Sequence, residues 1–369
     1  MKIKLISPRQ SLRPMDSNFK RKMSPPLGLL TIAALTPKKH EVYLDDENVE
    51  SINFNDQPDF VGITVNVDTA IRAYQIAKMY QSKGVPVILG GIHPSSNPKE
   101  AKHFADSILI GEAEEIWSEI LKDVEKKQLK QMYFAPKPAD LSKSPIPRWE
   151  IIKRNKYLYH NVMVFSRGCP WKCEFCYNSC KYVHNIYRTK EIDQTIEEIK
   201  ALNVPHVLFI DDNFIGDIPK TKKLLKKMIP LKLRWSAAVS ANVTQDDELL
   251  DLMVKSGCKS LFIGFETINQ NNLKENSKYQ NRVGAYEELV KKLHDNNIMI
   301  NASLVFGFDH DTEKTFDETL NWIVDNKIET VTTHILTPYP GTLLQKNMIK
   351  ENRIFDFNWN HYNTAHVVF

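Results

Sequence analysis

The repeated alternation of short apolar segments with helical segments constrains the fold of this chain more than any other feature. In the first third, Ile71–Gln81 has a helical pattern and separates two of the apolar segments. Short apolar strands separated by helices are typical of a parallel sheet covered on both faces. The sequence therefore predicts a doubly wound, Rossmann-like α/β domain at the amino terminus. Its predicted strands are Ile3–Ile6, Glu41–Leu44, Phe60–Val65, Pro86–Leu89 and Ser107–Ile110.

A second alternating region begins near residue 161 and has six apolar segments. Six consecutive strand-helix units predict a partial (β/α)6 barrel similar to a TIM barrel, with its chemistry at the carboxyl ends of the strands. The predicted strands are Val162–Ser166, Val207–Ile210, Leu233–Val239, Ser260–Phe265, Met299–Phe306 and Thr330–Leu336. The helical segments are Glu191–Leu202, Asp246–Ser256, Arg282–Asp295 and Thr312–Asn326.

A segment rich in lysine and proline, Lys122–Trp149, separates the two regions. Its prolines break regular structure, so we predict that it contributes to an interdomain linker. The resulting domain prediction is 1–135 for the first domain, 136–160 for the linker, 161–345 for the barrel and 346–369 for a carboxyl-terminal extension. The apolar chain end His366–Phe369 either docks on the barrel or precedes a missing segment.

Composition excludes several classes of protein. The 49 basic and 45 acidic residues give a formal charge of only +4, which is too small to indicate a nucleic-acid surface. The longest charge-free stretch near the start, Ser24–Pro37, is shorter than the roughly 20 residues of a membrane span. We therefore expect a cytoplasmic protein without a membrane span or a signal peptide. Five cysteines, none before Cys169, favour a thiolate site over a disulfide framework.

Polar and glycine-bearing turns follow three strands of the first predicted sheet. Ligands bind beyond the carboxyl ends of strands in open parallel sheets, and glycine lets the backbone approach a ligand closely. Glycine is equally needed for a tight turn, so both interpretations stay open. The candidate contacts are Thr64, Asn66, Gly90, Gly91, Gly111 and Glu112.

The strongest chemical signal is Cys-x3-Cys-x2-Cys, formed by Cys169, Cys173 and Cys176 after the first barrel strand. Thiolates select zinc, copper(I) or iron-sulfur clusters. A cubane has four irons, so three protein ligands leave one iron open for another molecule. A structural zinc loop and a cluster that also uses Cys180 are alternatives, although we expect Cys180 to be a bystander. Cys258 precedes an apolar strand and is expected in the core.

This stretch resembles the signature of the radical S-adenosylmethionine (SAM) superfamily, Cys-x3-Cys-x-aromatic-Cys, with Phe175 in the aromatic place. The resemblance implies that the three cysteines hold a [4Fe-4S] cluster. It also implies that the open iron binds SAM, whose reductive cleavage gives a 5'-deoxyadenosyl radical. A one-electron donor such as flavodoxin or ferredoxin is implied as a partner, together with an organic substrate of unknown class.

The same resemblance assigns further candidates at the other strand ends of the barrel. The second strand ends in an acidic pair in place of the family's Gly-Gly-Glu, which would hold the methionine amino group unless the pair caps the next segment. Hydroxyl and amide groups after the third strand would meet the methionine carboxylate or ribose, or form a turn. These candidates are Asp211, Asp212, Ser240 and Asn242, followed by Glu266 and Gly307 after the next two strands.

The order of the two regions resembles the cobalamin-binding subclass of this superfamily. Pro25–Leu30 and Gly90–His93 are supporting matches, whereas Asp-x-His-x-x-Gly is absent and Pro8–Pro26 has no histidine. Cobalamin would then bind without a protein histidine ligand, or the pocket is vestigial. The resemblance implies cobalamin-dependent methylation of an unactivated carbon. The alternatives are a cobalamin-independent radical rearrangement, cyclisation or oxidation, and a non-catalytic iron-sulfur or zinc module.

Overall fold

The computed structural model describes residues 1–14, 16–180, 183 and 186–369. The chain forms two compact units. The first contains Met1–His160, residues 175–183 and Thr337–Phe369, and the second contains Asn161–Glu174 and residues 186–336. Among the described residues, no helix combines the length and the apolar character needed to cross a membrane.

A six-stranded parallel sheet forms the centre of the first unit. Its strand order is β2-β1-β3-β4-β5-β6, which places a topological switch point between β1 and β3. The predicted doubly wound fold is confirmed. The strands are β1 Lys2–Ser7, β2 Glu41–Asp46, β3 Phe60–Thr64, β4 Val87–Gly90, β5 Ser107–Ile110 and β6 Met132–Phe134.

Helices cover this sheet because their apolar residues pack on its buried strands. The helix Ala70–Gln81 buries Ala73, Ile76, Ala77 and Tyr80 in one cluster with residues of β1, β3 and β4. Burial of such side chains contributes roughly 25 cal/mol per Å² of apolar surface. The helices are α1 Leu27–Leu35, α2 Ala70–Gln81, α3 Ile92–Ser96, α4 Pro98–Ala101 and α5 Trp117–Glu125.

The prediction that Lys122–Trp149 lacks regular structure was wrong at its start. The helix α5 continues to Glu125, and β6 pairs with β5 from Met132 to Phe134. Only Tyr133 of the three β6 residues is buried, so this edge strand lacks the apolar signal of the inner strands. Its pairing with β5 stabilises it instead.

The second unit also has a six-stranded parallel sheet, in the order β14-β13-β12-β11-β10-β7. Consecutive strands are neighbours, as expected for the predicted partial barrel. The strands β8 and β9 form a separate two-stranded sheet. The strands of the unit are β7 Val162–Met163, β8 Ser166–Arg167, β9 Arg188–Thr189, β10 His206–Phe209, β11 Arg234–Ser240, β12 Cys258–Glu266, β13 Met299–Phe306 and β14 Thr330–Ile335. The helices are α6 Ile192–Leu202, α7 Ile218–Met228, α8 Asp247–Ser256, α9 Gln270–Glu275, α10 Tyr286–Asp295 and α11 Glu313–Asp325.

The first predicted barrel strand is divided into two short strands. β7 pairs with β10, whereas β8 pairs in an antiparallel manner with β9. The backbone N–H groups of Phe165 and Ser166 donate to the Asp211 carboxylate. Those two donors are therefore not available to continue the β7 ladder.

The carboxyl-terminal segment packs in the first unit, where α12 spans Leu343–Lys350. Trp359 Nε1 donates to Glu100 Oε1 at 2.8 Å, and Tyr362 and Val368 are fully buried beside Val67. Sequence reasoning offered the barrel as one place where this end would dock, but the structure buries it in the first unit. The predicted domain boundaries concern independent folding and stay a prediction.

Replacing Gly257 with Ala tests the junction between α8 and β12. Gly257 has φ +95°, and a Cβ atom there would lie 2.1 Å from the Leu233 carbonyl oxygen. The left-handed conformation alone costs about 1–2 kcal/mol for an alanine. We expect Gly257→Ala to lower the thermal unfolding midpoint clearly. Gly284→Ala is the matched control because nothing lies within 4 Å of its Cβ position. Equal midpoints for the two variants would contradict this packing.

Candidate active site

The second unit carries Cys169 and Cys173 in the loop after β8. Both are free cysteines, with Cys169 half-buried and Cys173 buried. Burial raises the pKa of both thiols. Gly168 has φ +80°, and a Cβ atom there would lie 2.7 Å from the Ile186 carbonyl oxygen, so the turn before Cys169 requires glycine.

Asp211 and Asp212 hold this loop at the end of β10. Buried Asp211 accepts from the backbone N–H of Phe165 and from the backbone and hydroxyl of Ser166. Burial raises the pKa of Asp211 to about 7. Asp212 accepts from the Gly168 N–H at 3.0 Å. Both carboxylates therefore contact the backbone on the amino side of Cys169.

The capping role considered for this acidic pair belongs to another residue. Asp217 is the N-cap of α7, and its side chain accepts from the Lys220 N–H at 3.0 Å. The structure thus separates the two functions that sequence reasoning left open: Asp217 caps the helix, and Asp211 and Asp212 position the loop.

A hydrogen-bonded chain connects Cys169 with the end of β11. Asn213 Nδ2 lies 3.9 Å from Cys169 Sγ and 3.2 Å from Ser240 Oγ. Ser240 Oγ in turn donates to Asn242 Oδ1 at 2.6 Å. The structure therefore brings the predicted residues Ser240 and Asn242 together with one predicted cluster ligand. Asn213 was not predicted, although it directly follows Asp211 and Asp212.

These groups border a cavity of about 510 Å³ in the second unit. Its volume lies in the usual range of small-molecule sites. Gly216 forms part of the wall, where a Cβ atom would lie 2.3 Å from the Tyr187 ring. The lining residues are Pro170, Trp171, Tyr187, Asn213, Ile215, Gly216, Asp217, Ile218, Pro219, Ser240 and Asn242.

Glu266 is locked in a buried ion pair with Lys278. Glu266 has φ +66°, and the β12–β13 register shifts between Gly264 and Glu266. A Cβ atom on Gly264 would lie 2.6 Å from Glu266 Oε1 and 3.0 Å from Lys278 Nζ. The glycine therefore makes room for the pair. Asn281 completes this corner, because its Nδ2 donates to the carbonyl oxygens of Gly264 and Phe265.

Gln280 lies beside the second cysteine of the loop. Its Nε2 is 3.7 Å from Cys173 Sγ, and its buried Oε1 has no partner among the described residues. Amide donors near sulfur suit a ligand thiolate, because hydrogen bonds to cluster sulfurs help to set the reduction potential. Sequence reasoning missed Gln280 and Lys278 since no local pattern marks them.

Gly307 forms a local turn with Asp311. It follows β13 with φ +106°, and its N–H donates to Asp311 Oδ2 at 2.8 Å. Asn272 Nδ2 donates to the other oxygen of Asp311. Gly307 therefore forms an exposed turn at the strand end, and its cofactor contact stays a prediction.

In the first unit, the predicted ligand-contact turns adjoin at the carboxyl edge of the sheet. Thr64 pairs with Gly90 across β3 and β4. Gly91 has φ +106°, and a Cβ atom there would lie 2.9 Å from the Val65 carbonyl oxygen. The Gly111 N–H donates to Ser95 Oγ at 3.0 Å. Gly91 and Gly111, which has φ +93°, therefore satisfy tight turns. The interpretation as ligand contacts stays a prediction.

The remaining two candidates of this edge have local partners. The Asn66 N–H donates to Thr69 Oγ1 at 2.9 Å within a capping box, and Asn66 is itself exposed. Glu112 Oε2 accepts from the Ala139 N–H at 2.6 Å. Asn66 is therefore exposed at the carboxyl edge of the sheet, whereas Glu112 is hydrogen-bonded to the backbone of Ala139.

Cys176 and Cys180 belong to the first unit. Cys180 is buried, its Sγ lies 3.6 Å from the Pro340 carbonyl oxygen, and burial raises the pKa of its thiol to about 11. Cys258 is buried in β12, and burial raises its pKa as well. Among the described residues, no three His, Cys, Asp or Glu side chains are already gathered around a common metal position.

Lys278→Met tests the ion pair with Glu266. Removing one partner of a buried pair leaves an uncompensated charge and costs about 3–5 kcal/mol. We expect a large loss of stability in urea unfolding, partly restored by adding Glu266→Gln. Lys255→Met is the control, because Lys255 and Asp251 form an exposed pair worth about 0.5 kcal/mol. Equal losses for Lys278→Met and Lys255→Met would show that the buried pair is not stabilising.

Both regions of the chain match known protein families. Residues 21–121 match the B12 binding domain family, and residues 163–323 match the Radical SAM superfamily. Two methyltransferases of Chlorobaculum tepidum are similar. The bacteriochlorophyllide d C-12(1)-methyltransferase is 33% identical over 99% of this chain and 82% of its own length. The bacteriochlorophyllide d C-8(2)-methyltransferase is 30% identical over 96% of this chain and 82% of its own length.

A solved structure shares the fold of the whole chain. The radical S-adenosylmethionine methyltransferase TsrM from Kitasatospora setae, with cobalamin and a [4Fe-4S] cluster bound, has a TM-score of 0.76. The similarity covers 95% of this chain and 75% of that one at 16% identity. The cysteine loop, the two parallel sheets, the two family matches and the similarity to the methyltransferases agree. This chain therefore belongs to the radical SAM superfamily, in the group that also carries a B12 binding domain.

Proposed function

We propose that this protein is a cobalamin-dependent radical SAM methyltransferase that methylates an unactivated carbon of an organic substrate. In this proposal Cys169, Cys173 and Cys176 bind a [4Fe-4S] cluster. The observation that carries it is the contact of Asn213 with both Cys169 and Ser240, because Asn213 and Ser240 line a cavity of about 510 Å³. The similarity to two methyltransferases over nearly the full chain supports the reaction type.

The donor set fits a cluster with an open iron. Three free cysteines stand in one short loop, and thiolates are soft ligands suited to iron-sulfur clusters. Amide groups of Asn213 and Gln280 lie within 4 Å of two of the sulfurs. They would stabilise the negative charge of ligand thiolates, for which burial alone is unfavourable.

The protein's own residues would position the reactants. Asp211 and Asp212 fix the backbone before Cys169, and Ser240 and Asn242 present a hydroxyl and an amide to the cavity. Trp171 would exclude water from the same cavity. When bound, the cluster and SAM supply the radical that activates the substrate, and cobalamin supplies the methyl group. Most of the catalytic contribution of the chain is then orientation.

We further propose that the exposed carboxyl edge of the first sheet takes part in cobalamin binding. The turns at Thr64, Asn66, Gly90, Gly91 and Gly111 lie at this edge. Open parallel sheets bind their ligands there. The absence of Asp-x-His-x-x-Gly from the sequence means that this motif supplies no histidine ligand to the cobalt.

A one-electron donor of the flavodoxin or ferredoxin type is part of the proposal. The cluster must gain an electron before SAM is cleaved, and small iron-sulfur or flavin proteins deliver single electrons at low potential.

Cobalamin dependence tests the reaction. The full chain is reconstituted anaerobically with iron and sulfide, reduced, and incubated with SAM with and without cobalamin. We expect 5'-deoxyadenosine when substrate is present, and S-adenosylhomocysteine only when cobalamin is added. Deoxyadenosine without any cobalamin dependence would favour the rearrangement, cyclisation or oxidation alternative. Tetrahedral zinc in the purified protein would favour the non-catalytic module.

Single Cys→Ala variants test the ligand assignment. We expect Cys169→Ala, Cys173→Ala and Cys176→Ala to lose the reducible cluster and to form deoxyadenosine at least about 100-fold more slowly, because each removes one of three cluster ligands. Cys180→Ala and Cys258→Ala are matched controls, because neither cysteine belongs to the three-cysteine motif: Cys180 Sγ donates to the Pro340 carbonyl oxygen, and Cys258 lies in β12. Iron content and the spectrum of the reduced cluster are measured for each. A complete cluster in Cys173→Ala would refute the assignment.

A further inference from the structure

A second cavity, of about 390 Å³, lies entirely within the first unit. Three parts of the chain border it: the loop after β1, the first turns of α2 and the carboxyl-terminal segment. Asn363 Nδ2 donates to Ser11 Oγ at 3.1 Å and ties two of these parts together. The lining residues are Arg9, Gln10, Ser11, Leu12, Arg21, Ile71, Arg72, Gln75, Asn360, His361 and His366.

The lining is polar and its charges are all of one sign. Three arginines contribute to it, and no Asp or Glu is among the described residues that line it. Burial and the charge of Arg9 lower the pKa of the Arg21 guanidinium, whereas Glu47 raises it. Like charges repel, so a bound anion would stabilise three arginines around one cavity.

The Glu47 carboxylate beside these arginines is already engaged. Glu47 accepts from Arg72 through Nε at 2.9 Å and Nη2 at 2.6 Å, and from the Arg9 backbone N–H at 3.1 Å. These bonds also hold the Arg72 side chain in place. Glu47 also interacts with the charges of Arg9 and Arg21. One carboxylate thus stands beside three arginines that line the cavity.

Two histidines complete the wall on the side of the chain end. The rings of His361 and His366 stack with centroids 4.7 Å apart. His361 Nδ1 lies 2.6 Å from Asp356 Oδ2, and His366 Nδ1 lies 2.9 Å from Asn363 Oδ1. The stacked rings offer a flat surface beside the arginines.

We propose that this cavity is an anion-binding site, in which Arg9, Arg21 and Arg72 take the phosphate or carboxylate group of an organic ligand. The guanidinium fork matches the oxygens of both groups in a bidentate manner. The cavity is much larger than an isolated phosphate ion, so the anionic group is one end of a larger molecule. Two sources have this chemistry: the phosphodiester in the nucleotide tail of cobalamin, and an acidic group of the substrate.

Inorganic phosphate is the first probe, titrated into the cofactor-free full chain by calorimetry against chloride at equal ionic strength. We expect saturable binding of phosphate by the wild type, and at least about tenfold weaker binding by the double variant Arg9→Gln/Arg21→Gln. Arg148→Gln is the matched control, because Arg148 pairs with Glu150 and lines no part of the cavity. Equal binding by the double variant, or no phosphate binding beyond that of chloride, would overturn the proposal.

Chemical protection gives a second readout that does not depend on the folding of a variant. Phenylglyoxal modifies accessible arginines of the wild type, and mass spectrometry locates the modified residues. Phosphate is expected to slow modification of Arg9 and Arg21 and to leave Arg148 unchanged. Equal modification rates with and without phosphate at all three residues would overturn the proposal.

Corrinoid binding then identifies the source of the anion. Cobinamide lacks the phosphate-containing tail of cobalamin. If the double variant loses affinity for cobalamin but not for cobinamide, the site holds the corrinoid phosphate. If both corrinoids bind unchanged while phosphate binding is lost, the site holds an acidic group of the substrate. The first source rests on the proposed function, whereas the phosphate titration does not. Phosphate binding without any corrinoid binding would therefore leave the anion site standing and contradict the proposed cofactor.

Discussion

The contact of Asp211 with Phe165 and Ser166 is the interaction on which the site of the second unit depends. One buried carboxylate takes two backbone N–H groups and a hydroxyl, so it ends the first strand of the barrel-like sheet and starts the cysteine loop. An unpaired buried carboxylate would be costly, but these donors compensate it. Asp212 adds a second restraint at Gly168. The positions of Cys169 and its amide partner follow from this corner.

The fold was predictable because its signals are local. Inner strands such as Phe60–Thr64 are continuously apolar, and helices such as Ala70–Gln81 follow them at regular intervals. The errors have physical reasons of two kinds. Met132–Phe134 is an edge strand in which two of the three residues are exposed, and prolines follow it in the sequence. It forms because it pairs with β5. The break after Met163 depends on Asp211, which is more than 40 residues away in the sequence.

The site was predictable to the extent that its residues stand together in the sequence. The spacing of the cysteines identified the loop, and the strand-end positions identified Ser240 and Asn242. Gln280 was missed because its contact with Cys173 spans 107 residues and no periodic pattern precedes it. Glu266 was recognised as a strand-end carboxylate, but its partner Lys278 lies 12 residues further on, beyond α9. Long-range pairs of this kind require the folded chain.

The membership of Thr337–Phe369 in the first unit has a consequence for biosynthesis. That unit begins with Met1 but receives Trp359, Tyr362 and Val368 only after the whole barrel-like sheet has been translated. Until then, Glu100 lacks the indole that donates to it and Val67 lacks two of its apolar neighbours. The first unit thus begins to be made before the second on the ribosome but is completed after it, once the chain that carries the cysteine loop has emerged.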